Sequence, residues 1–259
     1  MSRHGSRFFT NPFFNSVEEG AREVNLAWLK REARAYISSI TSRTPDEENY
    51  YGGAYTGIAG EGYGVLRASI LFPENSENYL KFCEELVRTQ IRHNKGISSR
   101  KDSQFILGML GVYVMKSFCD KKRGTFDSKT LQHIIETTHK SLVSGYQREG
   151  DDEMLTGRAG ILAAALNLKF ISSDESIPED LLKQVIDKIL ESGREYSLRN
   201  GSPCPLMYQW HGKEYLGAAH GLMGILQMLL RFIALFSEFS SLLKILTICF
   251  YYVVDPYST

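Results

Sequence analysis

A glycine pattern that returns four times limits what this chain can fold into more than any other feature. GIAG (57–60), GMLG (108–111), GRAG (157–160) and GLMG (221–224) each lead into apolar residues at helical density, with first glycines 51, 49 and 64 residues apart. Between them, residues 17–40, 77–93, 129–143 and 178–190 carry apolar side chains on the 3.6-residue period, and no comparable segment alternates as a strand would. The pattern predicts a repeating helix pair, in which an amphipathic outer helix with one wet face is followed by a more apolar inner helix starting at GxxG. Glycine at a helix start lets the chain enter from a tight turn and lets a neighbouring helix or a ligand come close. One such motif is weak evidence, whereas four in register with four helix pairs predict an all-α repeat fold.

Composition narrows the function. With 259 residues, 43% of them apolar, the chain can build a core for one large domain or two ordinary ones. Lys+Arg and Asp+Glu both number 30, and no basic block stands out, which argues against a nucleic-acid partner. Cys83, Cys119, Cys204 and Cys249 lie far apart in sequence without a CxxC pair, so neither a disulfide framework nor a compact thiolate metal site is expected. A reducing, cytoplasmic setting follows. The first residues, MSRHGSRFFTNPFF, lack the apolar run of a secretion signal, and Ser2 excludes N-myristoylation of a glycine.

Longer stretches around the glycines carry a family likeness: YTGIAG (55–60), FILGMLG (105–111), LTGRAGIL (155–162), an opening RFFTNPF (7–13) and above all PLMYQWHGKEYLGAAHGLMGILQMLL (205–230). The chain resembles the eukaryotic lanthionine synthetase C-like (LanC-like) proteins from about Arg7 to Leu230. That resemblance implies an α/α toroid of seven helical hairpins, an architecture shared with six-hairpin glycosidases, of which four repeats are present here. It implies glutathione as ligand or co-substrate, added to dehydroalanine or dehydrobutyrine residues of protein or peptide substrates. It also implies a zinc ion that holds the thiolate. On the same resemblance His220, in AAHG, is the functional histidine and Glu153, four residues before Gly157, is the acid that contacts it. Arg7 meets the glutathione carboxylates, a task suited to a planar guanidinium, and Arg158 meets an anion at a helix N-terminus or lines the toroid mouth.

Plainer readings of the residues stand beside these. His220 reads equally as a packing histidine beside small residues, and the acidic run DDE (151–153) as a solvated helix start of the sign the macrodipole favours. His211, in QWHG, sits where the family's zinc motif reads WCHG, but the cysteine is missing.

After Leu230 the likeness stops, which divides the chain into a partial toroid (1–230) and a divergent apolar tail (231–259). The family's zinc ligands, two cysteines and a histidine in later repeats, have no counterpart here, so thiol addition is expected to be lost. The alternatives are a non-catalytic module that binds glutathione or a protein, and a glycosidase-like enzyme using Glu61 and Glu153. Within the tail, residues 232–254 are long enough to span a bilayer, yet Glu238 and Lys244 would each cost about 2.5–3.5 kcal/mol at mid-membrane. The abrupt change of composition points to alternative splicing or intron read-through instead of an evolved anchor. Peripheral contact with the plasma membrane and self-association through open repeat edges complete the expectations.

Overall fold

The computed structural model describes residues 18, 25–142, 151–171, 176–233 and 239–254. The chain divides into two units, 1–44 and 45–259. The first contains α1 (Leu26–Ser42), whose start is capped by Asn25: its side-chain oxygen accepts the Trp28 N–H at 3.0 Å.

The second unit holds α2 (Ile58–Arg67), α3 (Ser76–His93), the short α4 (Ser99–Ser103), α5 (Met109–Lys122), α6 (Ser128–Leu142), α7 (Arg158–Ile171), α8 (Glu179–Asn200), α9 (Leu222–Arg231) and α10 (Phe239–Val254). Among the described residues there is no strand, only an isolated bridge between Trp210 and Lys213. Helices α2, α5, α7 and α9 each begin one residue after the first glycine of a GxxG motif, and they touch in succession as an inner row. Helices α3, α6 and α8 form the outer layer, each resting on the inner helix before it. The larger core cluster runs from α5 to α10 through Leu162, Ile186, Leu206 and Ile225, and a smaller one joins α2, α3 and α5 through Ala59, Cys83 and Met109.

The glycines act by absence of bulk. Gly57, Gly108 and Gly221 have extended backbones that any residue adopts. It is the second glycine of each motif that explains the stacking. A Cβ at Gly60, Gly111, Gly160 or Gly224 would overlap the carbonyl oxygen of the residue six positions earlier, namely Ala54, Phe105, Met154 and Ala218. At Gly111, Gly160 and Gly224 it would also press on the side chain of Ala54, Phe105 or Met154 of the preceding repeat, with Met154 Cγ at 2.7 Å from the last. Each loop residue is therefore a knob for the next repeat's glycine.

Backbone hydrogen bonds join neighbouring loops. The Tyr55 N–H donates to Ile106 O (2.9 Å), the Ile106 and Leu107 N–H groups to Leu155 O (3.1 and 3.2 Å), and the Met154 N–H to Ala219 O (3.3 Å). Outer helices add polar side chains. Fully buried Gln90 of α3 accepts the Ala59 N–H at 2.6 Å, an otherwise orphaned donor of α2's first turn, and donates to the carbonyls of Gly52 and Gly53.

Helix α8 runs ten residues beyond the periodic stretch that ends at 190. Gly193 does not stop it. The glycine is a notch for Tyr208, whose ring occupies the space a Cβ would need and whose hydroxyl donates to Ile189 O at 2.9 Å. The helix ends instead at Gly201, in the left-handed region at φ 62°.

Helix α10 packs on α9, burying Leu242, Leu246 and Cys249 in the larger core and leaving Leu243, Ile248, Phe250, Tyr251 and Val254 exposed. Its 16 residues extend about 24 Å, short of a hydrocarbon core of about 30 Å. Among the described residues no helix is long and apolar enough to cross a membrane.

Two alanine substitutions separate stacking glycines from ordinary ones. Gly224→Ala should cost about 1–3 kcal/mol through overpacking. Gly64→Ala, at an exposed position of α2 with nothing within 4 Å of a new Cβ, should gain about 0.5–1 kcal/mol. Urea unfolding of both variants checks the contrast.

Candidate active site at the third and fourth glycine loops

The loop before α7 folds back on itself, so that backbone carbonyls meet the helix's first donors. The Arg158 N–H donates to Asp151 O at 2.8 Å and the Ala159 N–H to Asp152 O at 3.3 Å. The loop before α9 repeats this pattern, with Leu222 N–H to Tyr215 O (2.9 Å) and Met223 N–H to Leu216 O (3.1 Å). Because carbonyls serve the helix start, the carboxylates of Asp151, Asp152 and Glu153 are free to point elsewhere.

All three are buried, each with a different partner, so the run is not a solvated helix start. Asp151 accepts from Arg100 at 3.0 Å, reaching the second repeat. Asp152 accepts from Arg158 Nη1 at 2.7 Å and from Ser192 Oγ of α8 at 2.6 Å. Burial lifts the Asp152 carboxyl above its ordinary value, against the opposing pull of Arg158 and Ser192.

Glu153 reaches the fourth repeat. His220 Nδ1–H donates to its Oε2 at 2.9 Å across 67 residues of sequence. The same carboxylate accepts the Leu155 N–H (3.0 Å), the Thr156 N–H (2.5 Å) and the Thr156 hydroxyl (2.6 Å). Four donors thus converge on a side chain 2% exposed, an environment built for a charged carboxylate. A carboxylate accepts only, so Nδ1 carries the proton and Nε2 of neutral His220 is an acceptor. Among the described residues Nε2 has no hydrogen-bond partner, and the side chain is 32% exposed. The ring lies flat against Trp210, with centroids 5.0 Å apart and planes at 7°, and Tyr215 stands 6.1 Å away, tilted by 56°.

The structure therefore brings His220 and Glu153 together. It turns Arg158 inward, with its side chain 6% exposed beside Asp152. Arg7 lies outside the described residues. His211 sits in a tight turn, its ring edge-on to Trp210 at 4.6 Å. Thr156, Trp210 and Tyr215 escaped the sequence reading; Trp210 was visible in QWHG, but only its neighbour invited attention.

A model of the family described as lanthionine synthetase C-like protein matches residues 50–257, four-fifths of the chain and all four glycine loops. The chain belongs to that family. LanC-like protein GCL1 of Arabidopsis thaliana is 30% identical over 184 residues, 69% of this chain and 41% of that protein. Glutathione S-transferase LANCL1 of Danio rerio is 44% identical over 82 residues, 31% of this chain and 20% of the relative. The chain thus spans less than half the length of either relative it matches. The matched region of this LanC-like chain also includes α10.

Among the described residues no three His, Cys, Asp or Glu side chains gather as a ligand set. The cysteines, distant in sequence, meet in pairs. Cys83 and Cys119 share a buried S–H···S hydrogen bond at 3.5 Å, and Cys249, solitary in the tail sequence, meets Cys204. Hydrogen bonding within each pair and burial hold the Cys83 and Cys249 thiols well above their ordinary range, opposing the thiolate form that binds metal.

A second histidine–carboxylate pair braces the second repeat. His133 Nε2 of α6 lies 3.0 Å from buried Asp102, which also accepts from Thr137 Oγ1 at 3.1 Å, and the His133 ring tilts against Tyr113 at 4.5 Å. Its pKa is raised above 6.5, chiefly by the Asp102 carboxylate beside it; burial and Lys140 oppose this, and Glu136 adds to it.

Two measurements check these pairs. Glu153→Gln keeps the shape but turns a donor toward a nest of donors, and should lower unfolding free energy by about 2–4 kcal/mol in urea titrations. For His133 the folded pKa is the higher one, so its stabilisation is full below pH 6.5 and is lost as pH rises through the raised value. Because the pair is partly solvent-screened, the change should be at most about 1 kcal/mol. His133→Gln should flatten that part of the stability–pH curve.

Proposed function

We propose that this LanC-like chain binds glutathione and carries the proton-transfer half of a thiol-addition site, with His220 as the acid–base group and Glu153 as its partner. The observation that carries the reading is the 2.9 Å contact between His220 Nδ1 and a carboxylate held by three further donors, which leaves Nε2 unpartnered among the described residues. The name of the zebrafish relative, a glutathione S-transferase, supports the choice of thiol. In the addition, the glutathione sulfur bonds to the β-carbon of a dehydroalanine or dehydrobutyrine residue as the carbon–carbon double bond opens. His220 Nε2 takes the thiol proton and returns it to the α-carbon, and Glu153 stabilises the imidazolium between the two transfers. Arg7 is assigned to a glutathione carboxylate. Arg158 serves the site through Asp152, by fixing the loop that carries Glu153.

Among the described residues no three metal-donor side chains gather beside His220. An unperturbed thiol has a pKa of about 8.5 and is mostly protonated at neutral pH. The 259-residue chain by itself is therefore expected to bind glutathione without appreciable turnover, as a binding module with a latent proton-transfer pair.

Calorimetric titration with glutathione should show binding that weakens at least about tenfold in Arg7→Ala, the loss of one charge-assisted pair. In His220→Gln affinity should stay within about threefold, since the imidazole is assigned to proton transfer and not to holding ligand. Elemental analysis of the same protein should find well under one zinc per chain, and assays with a dehydroalanine peptide no histidine-dependent addition. Stoichiometric zinc together with histidine-dependent turnover would overturn the inactive assignment; absence of glutathione binding would overturn the function itself.

A further inference from the structure

We propose that Trp210 is a positioning residue for His220, presented by a strained two-residue turn so that its indole fixes the plane of the imidazole and leaves Nε2 as the working edge. This rests on the reading of His220 as the proton-carrying group and deepens it. Two independent observations support it.

The first is the contact itself. At 5.0 Å and 7° the two rings are stacked face on face, whereas the other aromatic neighbours of this cluster meet at 55° or more. With Nδ1 tied to Glu153 and one ring face covered by indole, rotation about the Cβ–Cγ bond would break both contacts at once. A histidine held only by Nδ1 could still swing about that hydrogen bond.

The second observation is the turn. Trp210 and Lys213 exchange both backbone hydrogen bonds, Trp210 N–H to Lys213 O at 2.8 Å and Lys213 N–H to Trp210 O at 3.1 Å. The two residues between them have positive φ, 49° at His211 and 71° at Gly212, as a type I′ turn requires. His211 is the one non-glycine residue with positive φ among the described residues. Such a conformation costs free energy and persists where its surroundings impose it, often at functional sites. Here its ring stands edge-on to Trp210, opposing displacement of the indole. Tyr208, anchored under α8 by its hydroxyl bond to Ile189 O, fixes the approach to the turn two residues earlier. Trp210 is thus braced from below and from the side, as a positioning group should be.

The test is nitrogen-15 NMR of histidine-labelled full chain, with the His220 signals identified by their loss in His220→Gln. In the unsubstituted protein the carbon-bound ring protons of His220 should be shifted upfield by the indole, and its nitrogens should report one tautomer, protonated at Nδ1. Trp210→Phe should keep a single tautomer with a smaller upfield shift. Trp210→Leu should abolish the upfield shift and give averaged nitrogen signals while other histidines are unchanged. Ordinary His220 shifts in the unsubstituted protein, or a single unaltered tautomer in a folded Trp210→Leu variant, would overturn the proposal. If Trp210→Leu fails to fold, the unsubstituted protein and the phenylalanine variant still decide it. Loss of glutathione binding would remove the functional reading while leaving these spectra intact, so the two failures are distinguishable.

Discussion

At Gly111, Gly160 and Gly224 a side chain of the preceding repeat's loop, Ala54, Phe105 or Met154, stands where a Cβ would press on it. That close approach sets the level at which each inner helix starts relative to the last. Because the same contact recurs from the second repeat to the fourth, the backbones of the four loops can hydrogen-bond in succession. A methyl group at any of these positions would push one loop off its neighbour and break the local ladder. The distance from Glu153 to His220 depends on the last of these contacts, where Met154 of the third repeat lies on Gly224 of the fourth.

Once the loops are stacked, their polar groups must be satisfied away from water, and the outer helices supply much of what is needed. Gln90 serves the first loop, Thr137 and His133 the second through Asp102, and Ser192 the third through Asp152. The run Asp151–Asp152–Glu153 shows the consequence most clearly. Three adjacent carboxylates would repel strongly if they shared a site. Here they diverge to the second repeat, to the outer helix and to the fourth repeat, and each buried charge has its own partner.

The chemistry of the site follows from that divergence. A carboxylate with four donors fixes which imidazole nitrogen carries the proton, and the stacked indole fixes the ring plane. What remains of His220 is one nitrogen with a defined direction. The thiols, by contrast, are drawn into the interior in pairs, where hydrogen bonding and burial hold Cys83 and Cys249 in the protonated form.

Much of the fold was legible in the sequence because it is local. The 3.6-residue period marks α3 and α6 nearly to the residue, and GxxG marks every inner-helix start, because periodicity and chain entry are properties of a few neighbouring residues. The pairing of His220 with Glu153 was legible only through family likeness, since nothing local links residues 67 positions apart. Three features were hidden, each for a stated physical reason. The reach of α8 past residue 190 was hidden, because Gly193 serves as a notch that Tyr208 arrives from elsewhere to fill. DDE reads as a solvated start but is buried, because partners on three other elements make that burial affordable. QWHG lacks the Asn-Gly or Gly-Gly signal of a tight turn, yet His211 and Gly212 both take positive φ between the hydrogen-bonded Trp210 and Lys213. Sequence by itself determined where helices begin and which of their faces are apolar. Which side chains meet at the site was decided only by the stacking of whole repeats, because those contacts exist once the loops are held at one level.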